Sequence, residues 1–357
     1  MARNKQPDPA HVETDRIIEQ IEKEITEEYR IAHKEVTEKW KDYLRRFEIK
    51  DKKWREWVES GKRTKEEYTQ WRKGQIMMSK RWEEMKDVLA EDYANTAEIA
   101  DSIANGYRPE VYAINHNYTT YEIEQQSQLD TSYTLYSRES VERMYRDNPK
   151  LYHDPGKDNA AKLAKGEIKA WNKRKVQSVI TQGILQGESI PQLTKRLERV
   201  TGDAHAAAIR NARTMMTGTQ NAGRIDAMDR AKDMGIPVRK QWLATLDTRT
   251  RIWHRELDGK IQDTDKPFEN SVGKIMFPGD PDADGANTYN CRCTLLSAIK
   301  GFEIDASDIN LRHNKNLKGM TYEQWKNEKK STSNPITLPE EKAKAIKGSY
   351  VRQYREE

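Results

Sequence analysis

Two cysteines and one histidine are the residues of this sequence whose types and spacing could do chemistry. Cys291 and Cys293, the only cysteines of the 357-residue chain, enclose a single arginine in the stretch NTYNCRC. On an extended strand, residues i and i+2 point to the same face, so the two sulfurs would lie side by side and Arg292 would point the other way. His254, at the end of DTRTRIWH, offers an imidazole. The set predicts a site built from two thiols and one imidazole.

Three structures for this set are open at the level of sequence. Zinc takes thiolate and imidazole ligands in a tetrahedron, and Asp247, Asp258, an acid of GDPDADG or water could complete it. The same side chains could instead form a hydrogen-bonded cluster that holds a loop against a helix without metal. A disulfide between residues two apart would be strained and is disfavoured in a reducing cytoplasm. We predict a metal site in which Asp247 joins the two thiols and the imidazole.

Two further kinds of chemistry have weaker support. DPDADG, residues 280–285, resembles the first half of a calcium loop, but Cys291 stands where the bidentate glutamate belongs, so the stretch predicts an ordinary acidic turn. His254 with a thiol and a nearby acid has the ingredients of metal-assisted hydrolysis, and Arg249 and Arg251 could hold a phosphate. No Walker loop, GxSxG, HExxH or dinucleotide fingerprint occurs in the chain. Hydrolysis is therefore an alternative and not the main prediction.

The composition restricts the elements that can position such a site. The chain is 35% hydrophobic and 34% charged, against roughly 45–50% and 25% in ordinary globular proteins. This balance predicts long, exposed helices with thin apolar stripes and a smaller, better-packed part. The net charge of +5 is too small to indicate nucleic acid by itself. With no apolar leader and no run of 18 apolar residues, we expect a soluble protein of a reducing cytoplasm with no membrane-spanning segment.

The N-terminal part predicts long helices. Its apolar residues follow each other at steps of three or four, which predicts a helix from about residue 11; they are Ile18, Ile21, Ile25, Tyr29, Ala32, Val36, Trp40, Tyr43 and Phe47. The Trp-rich sequence between Trp40 and Trp82 predicts packing against a neighbouring helix. Between about residues 100 and 165 the pattern weakens and a boundary is expected. His116 and His153, in that region, are predicted to be surface or turn residues.

The candidate site follows a helix predicted from Asp203 to Met234. The stretch IPVRKQWLATL alternates in the manner of a strand, with Val238, Trp242 and Leu246 as inward positions. DTRTRIWHRELDG then predicts a short helix with Asp247 as its N-cap and a glycine just past its end. CRCTLLSAI predicts a final strand. These elements predict a small α+β unit around the two cysteines.

The predicted fold class is α+β, predominantly helical. Long N-terminal helices occupy residues 1–150, and a helical middle region occupies residues 151–235. The small α+β domain covers residues 236–303. A C-terminal helix and a flexible tail fill residues 304–357.

The ordered motifs resemble those of a known family. WLATLDTRTRxxHxxLDG, FPGD and NCRC, preceded by ART at residues 212–214, are similar to the head morphogenesis domain of tailed bacteriophages, shared by Mu F-like proteins and the minor head proteins of long-tailed phages. The resemblance covers roughly residues 170–330. Met215 departs from it, because an acidic residue is expected there. The residues that carry the motifs, besides the cysteines and His254, are Trp242, Thr250, Arg251, Asp258, Gly259, Pro278, Gly279, Asn290 and Arg292.

The resemblance implies a minor structural protein of the phage head. Such proteins enter the procapsid with the portal ring and help assembly, DNA packaging or genome delivery. The implied partners are the portal and other capsid proteins, and the implied location is the virion, after synthesis in the host cytoplasm. Packaged DNA is a further expected partner, bound without sequence preference, with Lys173, Arg174 and Lys175 as its contacts. The alternative is a metal-dependent nuclease or hydrolase that acts during infection.

Overall fold

The computed structural model of the chain describes residues 8–77, 80–147, 190–299 and 319–332, with short pieces at 174–175, 178–179, 182, 312–313 and 317. Most of these residues are helical and the strands are short, which confirms the predicted α+β class. None of the helices in this described part is long and apolar enough to cross a membrane.

Eight helices of four or more residues lie in the described ranges: α1 (Pro9–Glu59), α2 (Lys65–Met77), α3 (Lys80–Ser127), α4 (Arg138–Asp147), α5 (Ile190–Asp233), α6 (Ile252–Arg255), α7 (Gly285–Thr288) and α8 (Tyr322–Thr332). The strands are β1 (Leu129–Asp130), β2 (Val238–Leu243), β3 (Ile261–Gln262), β4 (Phe268–Asn270), β5 (Gly273–Ile275), β6 (Thr294–Ile299) and β7 (Arg312–His313). The central sheet has the antiparallel order β3-β2-β6, and β4-β5 and β1-β7 are separate antiparallel pairs.

Helix α1 begins two residues before the predicted start. The Asp8 carboxylate accepts the main-chain N–H groups of Ala10 and His11, both at 3.0 Å, and a proline at the first helical position needs no N–H partner. The apolar stripe of α1 is buried at Ile21 and Ile25 against α3 and α5. The predicted amphipathic helix is thereby confirmed.

A buried arginine joins the N-terminal helices to the sheet. Arg224 of α5 is fully buried, and its guanidinium contacts the Asp8 carboxylate at 2.6 Å, the Asn115 side-chain oxygen at 3.0 Å and the Leu295 main-chain oxygen at 2.9 Å. These partners belong to the start of α1, to α3 and to β6. Burying a guanidinium without partners costs free energy of folding. The burial of Arg224 therefore requires α1, α3 and β6 to meet α5 at this point.

Strand β2 alternates as predicted, but it ends earlier than expected. Val238, Lys240 and Trp242 point inward, and the ladder to β6 runs from the pair Val238–Ile299 to the pair Leu243–Thr294. Leu246 was predicted to be inward, and this is wrong: its side chain is 64% exposed. Strand β2 ends at Leu243. The alternation of inward and outward side chains that holds within a strand therefore does not extend to Leu246.

The core of the α+β part is shared with the long helices. Ile123 of α3 and Met228 of α5 pack in the same buried cluster as Trp242, Cys291 and Cys293. Residues 236–303 therefore do not bury their apolar side chains among themselves alone. The boundaries expected near residues 150, 235 and 303 stay predictions.

The region after residue 100 is more regular than predicted. Helix α3 continues to Ser127, and the surface position expected for His116 is wrong because this side chain is fully buried between α3 and α5. Its ring nitrogens lie 2.6 Å from the Tyr133 hydroxyl and 3.0 Å from the Asp226 carboxylate, and burial lowers the pKa of His116 below its ordinary value. His153 lies outside the described residues.

Candidate functional site

The two cysteines and the histidine meet as predicted. The Nδ1 atom of His254 lies 3.5 Å from the Cys291 sulfur and 3.7 Å from the Cys293 sulfur. The three side chains are no more than 2% exposed, and both cysteines are free thiols, so the disulfide is not formed. This cluster of His254, Cys291 and Cys293 is called the thiol–imidazole cluster below.

The cluster is positioned by a short helix and by an extended segment. His254 lies in α6, whose first turn is anchored where the Arg251 guanidinium donates to the main-chain oxygen of Tyr289. The cysteines immediately precede β6, so the predicted strand begins three residues later than the stretch CRCTLLSAI suggested. The cysteines still point to one side of the segment, and Arg292 points away from them to Asp247.

The two thiols differ in acidity. The pKa of Cys293 lies well below the ordinary thiol value, because Cys291 donates a hydrogen bond to its sulfur and His254 stabilises the thiolate. The pKa of Cys291 is raised, because its proton is held by Cys293 and its thiol is fully desolvated. Of the two thiols, Cys293 therefore loses its proton more readily and is the better anionic ligand.

Asp247 does not join the cluster, in contrast to the prediction. Its two carboxylate oxygens bind the Arg292 guanidinium at 2.5 and 2.7 Å, and this pairing lowers the pKa of Asp247. The carboxylate also accepts the Arg249 main-chain N–H at 2.9 Å and the Thr250 hydroxyl at 3.1 Å. It is not the helix cap either, because α6 begins after Arg251. Because both of its oxygens have these partners, the Asp247 carboxylate stabilises the turn at residues 247–250.

The cluster has the donor atoms of a zinc site. Zinc bonds of about 2.3 Å to sulfur and 2.0–2.1 Å to nitrogen in a tetrahedron place sulfur and nitrogen about 3.6 Å apart, and the observed separations are 3.5 and 3.7 Å. A hydrogen-bonded thiol–imidazole pair has similar separations. Among the described residues, the ligand atoms that gather within 4.8 Å of one another belong to His254, Cys291 and Cys293 alone. His254, Cys291 and Cys293 would supply three of the four ligands of a zinc ion.

The packing of aromatic rings against the thiol–imidazole cluster accounts for the motif residue Trp242. Trp242 is fully buried, and its ring meets His254 edge to face at 5.4 Å and Phe268 at 5.3 Å. The Nε2 atom of His254 has no hydrogen-bond partner within this described part of the chain. The imidazole is thus oriented by ring packing and by its sulfur contacts at Nδ1.

Helix α5 holds the NCRC segment through a row of polar side chains. The Thr214 hydroxyl accepts the Asn290 main-chain N–H at 2.9 Å, and the Thr217 hydroxyl donates to the Cys291 main-chain oxygen at 2.8 Å. One turn later, the Asn221 side-chain oxygen accepts the Leu295 N–H at 2.9 Å. Successive members of the row are three or four residues apart, so they share one face of the helix.

Sequence reasoning found only the first member of that row, as part of ART. Thr217, Asn221 and Arg224 were missed because their types are those of a solvated helix face. The available signal was the three-four-three spacing of polar residues from Thr214 to Arg224 inside an otherwise buried, Ala- and Met-rich stretch. Met215, where an acidic residue was expected, packs in the apolar core with α1.

The FPGD motif rests on the same helix. A Cβ atom on Gly279 would lie 2.5 Å from the Gly218 main-chain nitrogen, and one on Gly218 would lie 2.7 Å from the Gly279 oxygen. Gly279 also has a positive φ of 80°, which L side chains rarely adopt. Next to it, the Pro278 oxygen accepts the Asn221 side-chain amide at 3.1 Å. The loop and the helix are in direct main-chain contact.

The remaining motif residues shape the turns around the cluster. Asp258 accepts the Ala244 N–H at 2.9 Å, Gly259 has a φ of 78°, and Asn290 has a φ of 55°. The stretch DPDADG, residues 280–285, forms a turn, as predicted: the Asp280 carboxylate accepts the main-chain N–H groups of Met276 and Asp282.

The basic run predicted to contact DNA is only partly visible. Lys173 lies outside the described residues. Lys175 lies 3.5 Å from the Asp203 carboxylate, and Arg174 has an interaction of its own. The contact of these residues with DNA stays a prediction.

Comparison with known proteins finds relatives of the motif region. Residues 174–296 match the model described as Phage Mu protein F like protein. The chain is 31% identical to minor head protein GP7 of Bacillus phage SPP1 over 160 residues, 44% of this chain and 51% of that protein. It is also 31% identical to the NAD(+)--arginine ADP-ribosyltransferase EFV of Enterococcus faecalis over 158 residues, 42% of this chain and 30% of that protein.

A third relative, an uncharacterised protein of Haemophilus influenzae, is 25% identical over 206 residues, 57% of this chain and 40% of that protein. The chain thus spans about half or less of the length of the curated relatives it matches. No solved structure matches it significantly. The resemblance carried by the motifs is confirmed: over residues 174–296 the chain matches Phage Mu protein F like proteins, and it is similar to a phage minor head protein.

Proposed function

We propose that this protein is a non-enzymatic minor head protein that joins the portal region of a tailed phage during assembly. The observation that carries the proposal is the burial of the motif side chains. His254, Cys291 and Cys293 are at most 2% exposed, and the main chain beside the cysteines is bonded to α5. Burial of all three side chains favours a role in holding the loop, because a substrate needs an accessible concave site.

Family membership and similarity to a minor head protein support the virion as the location and capsid proteins as partners. The enzyme named among the relatives does not alter this proposal. The chain spans 30% of that ADP-ribosyltransferase, so the activity in its name stays with that protein.

Assembly in the presence of the phage's own portal tests the proposal. The full chain would be co-expressed with the portal and major capsid proteins of the phage that encodes it, and the particles separated on a density gradient. We expect the chain to sediment with portal-containing procapsids in few copies. Procapsids made without portal are the control and should lack the chain. A chain that stays at the top of the gradient while complete procapsids form would contradict the proposal.

The hydrolase alternative is tested with the purified full chain. Duplex DNA incubated with the chain and with Zn²⁺ or Mg²⁺ should stay intact. Cleavage that disappears in the His254→Ala variant, while a folded His205→Ala variant keeps it, would establish the alternative. His205 is a suitable control because it lies on α5, 49 residues before His254, and its imidazole contacts Thr26 and Tyr29 of α1.

Zinc is the metal that we propose for the thiol–imidazole cluster. A bound ion would cross-link α6 to the segment before β6 and so fix the loop between them. Elemental analysis of the full chain should find about one zinc per chain, and none in the Cys291→Ser, Cys293→Ser double variant.

The Asp247→Asn variant is the matched control, because Asp247 is paired with Arg292 and should not affect the zinc content. The double variant should also melt at a lower temperature than the wild type. Metal-free wild type together with an equally stable double variant would show that the cluster is a packing motif only.

A further inference from the structure

The far end of α1, together with α2, lies beyond the described part of α5. Along α1, the contacts with α5 run from His11–Gln220 to His33–Glu198 in antiparallel order, and α5 begins at Ile190. At this register, α5 reaches only to about residue 41 of α1. Beyond that point, the described elements that flank α1 are α2 and α3. Residues 45–77, the end of α1 with α2, are called the arm below.

The arm is a closed helical hairpin. Trp71 of α2 stacks on Phe47 and Trp54 of α1, at ring distances of 5.8 and 5.2 Å. The Asp51 carboxylate, 2% exposed, accepts the Tyr68 hydroxyl at 2.8 Å and the Arg55 guanidinium at 2.8 Å. Aromatic packing and one buried carboxylate therefore hold the two helices together and present a fixed outer surface.

The arm carries the net charge of the whole chain. It contains eleven basic and six acidic residues, a surplus of five, and the net charge of the full sequence is +5. The rest of the chain is therefore neutral overall. Such a concentration of one sign in a single segment creates a local positive potential, which the small net charge of the whole chain does not reveal.

Most of the basic side chains on the arm are available to an external partner. Seven are exposed, and none of the seven forms an ion pair with a described residue; they are Arg46, Lys50, Lys52, Lys53, Lys62, Lys65 and Lys73. Three of these, Arg46, Lys50 and Lys53, are spaced by four and three residues and so share one face of α1. Two rings on the arm support neighbouring cations: Lys53 lies 5.3 Å from Trp57, and Arg63 lies 5.6 Å from Trp54.

We propose that the arm binds the phosphate backbone of double-stranded DNA without sequence preference. Duplex DNA presents one negative charge per about 1.7 Å of its axis, and cations along a helix face neutralise phosphates and release counterions. Helical spacing puts Arg46, Lys50 and Lys53 about 6 and 4.5 Å apart along the helix axis, a separation that suits successive phosphates. The arm lies outside the region that matches the family, so this role does not depend on the proposed function of that region.

Charge-neutralising variants of the full chain test the proposal. Binding to a random-sequence 30-base-pair duplex would be followed by fluorescence anisotropy at several salt concentrations. The Arg46→Gln, Lys50→Gln, Lys53→Gln variant should keep its helices, because glutamine is a good helix former. Losing three phosphate contacts should lower the affinity at 0.1 M salt by about 100-fold and reduce the slope of log K against log salt by about 3.

A second triple variant controls for net charge. Lys260, Lys266 and Lys274 are exposed lysines of the α+β part, and changing them to Gln removes the same three charges. This control should bind DNA as the wild type does.

Equal losses in the two triple variants, or no binding by the wild type at low salt, would overturn the proposal. So would unchanged DNA binding by the arm variant. If that variant failed instead to enter particles, the arm would bind an acidic protein surface and not DNA. The anisotropy assay contains no portal or capsid protein, so its failure is distinguishable from failure of the assembly test.

Discussion

The contact between α5 and the NCRC segment predicts a large effect of a single amide. Asn221 is fully buried; its Nδ2 donates to the Pro278 oxygen at 3.1 Å, and its Oδ1 accepts the Leu295 N–H at 2.9 Å. Asn221→Ala leaves both main-chain groups without their partner. Each unsatisfied buried group costs about 1–3 kcal/mol, and the better helix propensity of alanine returns about 0.5 kcal/mol. The free energy of unfolding should fall by about 2–5 kcal/mol.

Asn211 provides the matched control. It has the same side chain, lies on the same helix two to three turns earlier, and is exposed. Asn211→Ala should change the free energy of unfolding by no more than the propensity gain of about 0.5 kcal/mol. Urea titrations followed by tryptophan fluorescence compare the two variants with the wild type.

Hydrogen exchange tests whether the loss of stability in Asn221→Ala comes from the contact between Asn221 and Leu295. In Asn221→Ala, the amide of Leu295 should exchange faster than in the wild type, while amides at the Asp8 cap of α1 should change less. If the two alanine variants unfold at the same urea concentration and the Leu295 amide stays protected, then α5 does not hold the NCRC segment in solution. The reasoning that links the motif to the helix would then be refuted.

Two further predictions concern close packing and pH. Gly279→Ala should lower the free energy of unfolding by at least about 2 kcal/mol, because Gly279 combines a positive φ with main-chain contact to Gly218. Gly202→Ala, on open space in α5, should raise it by about 1 kcal/mol, and equal melting temperatures would contradict this reasoning. Burial raises the pKa of Glu122 to about 8, so the stability linked to its protonated form is complete below the ordinary value of 4.5 and is lost as pH rises through 8. The free energy of unfolding of Glu122→Gln, measured by urea titration, should therefore fall less between pH 5 and pH 8 than that of the wild type. An identical fall would show that burial does not raise the pKa of Glu122.

The features that sequence could predict are those set by local pattern. The apolar steps in α1 fix its buried face, and a proline-rich start places its first turn near Asp8. The meeting of Cys291, Cys293 and His254 was predictable because the cysteines lie on an extended segment and the ordered motifs match a family. The alternation in β2 placed Val238 and Trp242 correctly.

The features that escaped prediction depend on partners distant in sequence. Lys240 is buried because its ammonium donates to the main-chain oxygens of Thr264 and Met276 at 3.0 and 2.9 Å. The sequence near Lys240 does not predict these acceptors. The assignment of Asp247 failed for the same reason, since Arg292, 45 residues away, takes both of its oxygens. Residue type alone cannot show whether a carboxylate faces a metal or a guanidinium.

The contact between Asp8 and Arg224 ties the start of α1 to the motif region. Asp8 caps the helix and binds the buried guanidinium that also holds β6. The helix has 51 residues and is therefore about 76 Å long. Because its first half packs against α3 and α5, α1 acts as a spacer of fixed length. A partner bound at the arm would thus be held about 55 Å from the motif region along the helix axis.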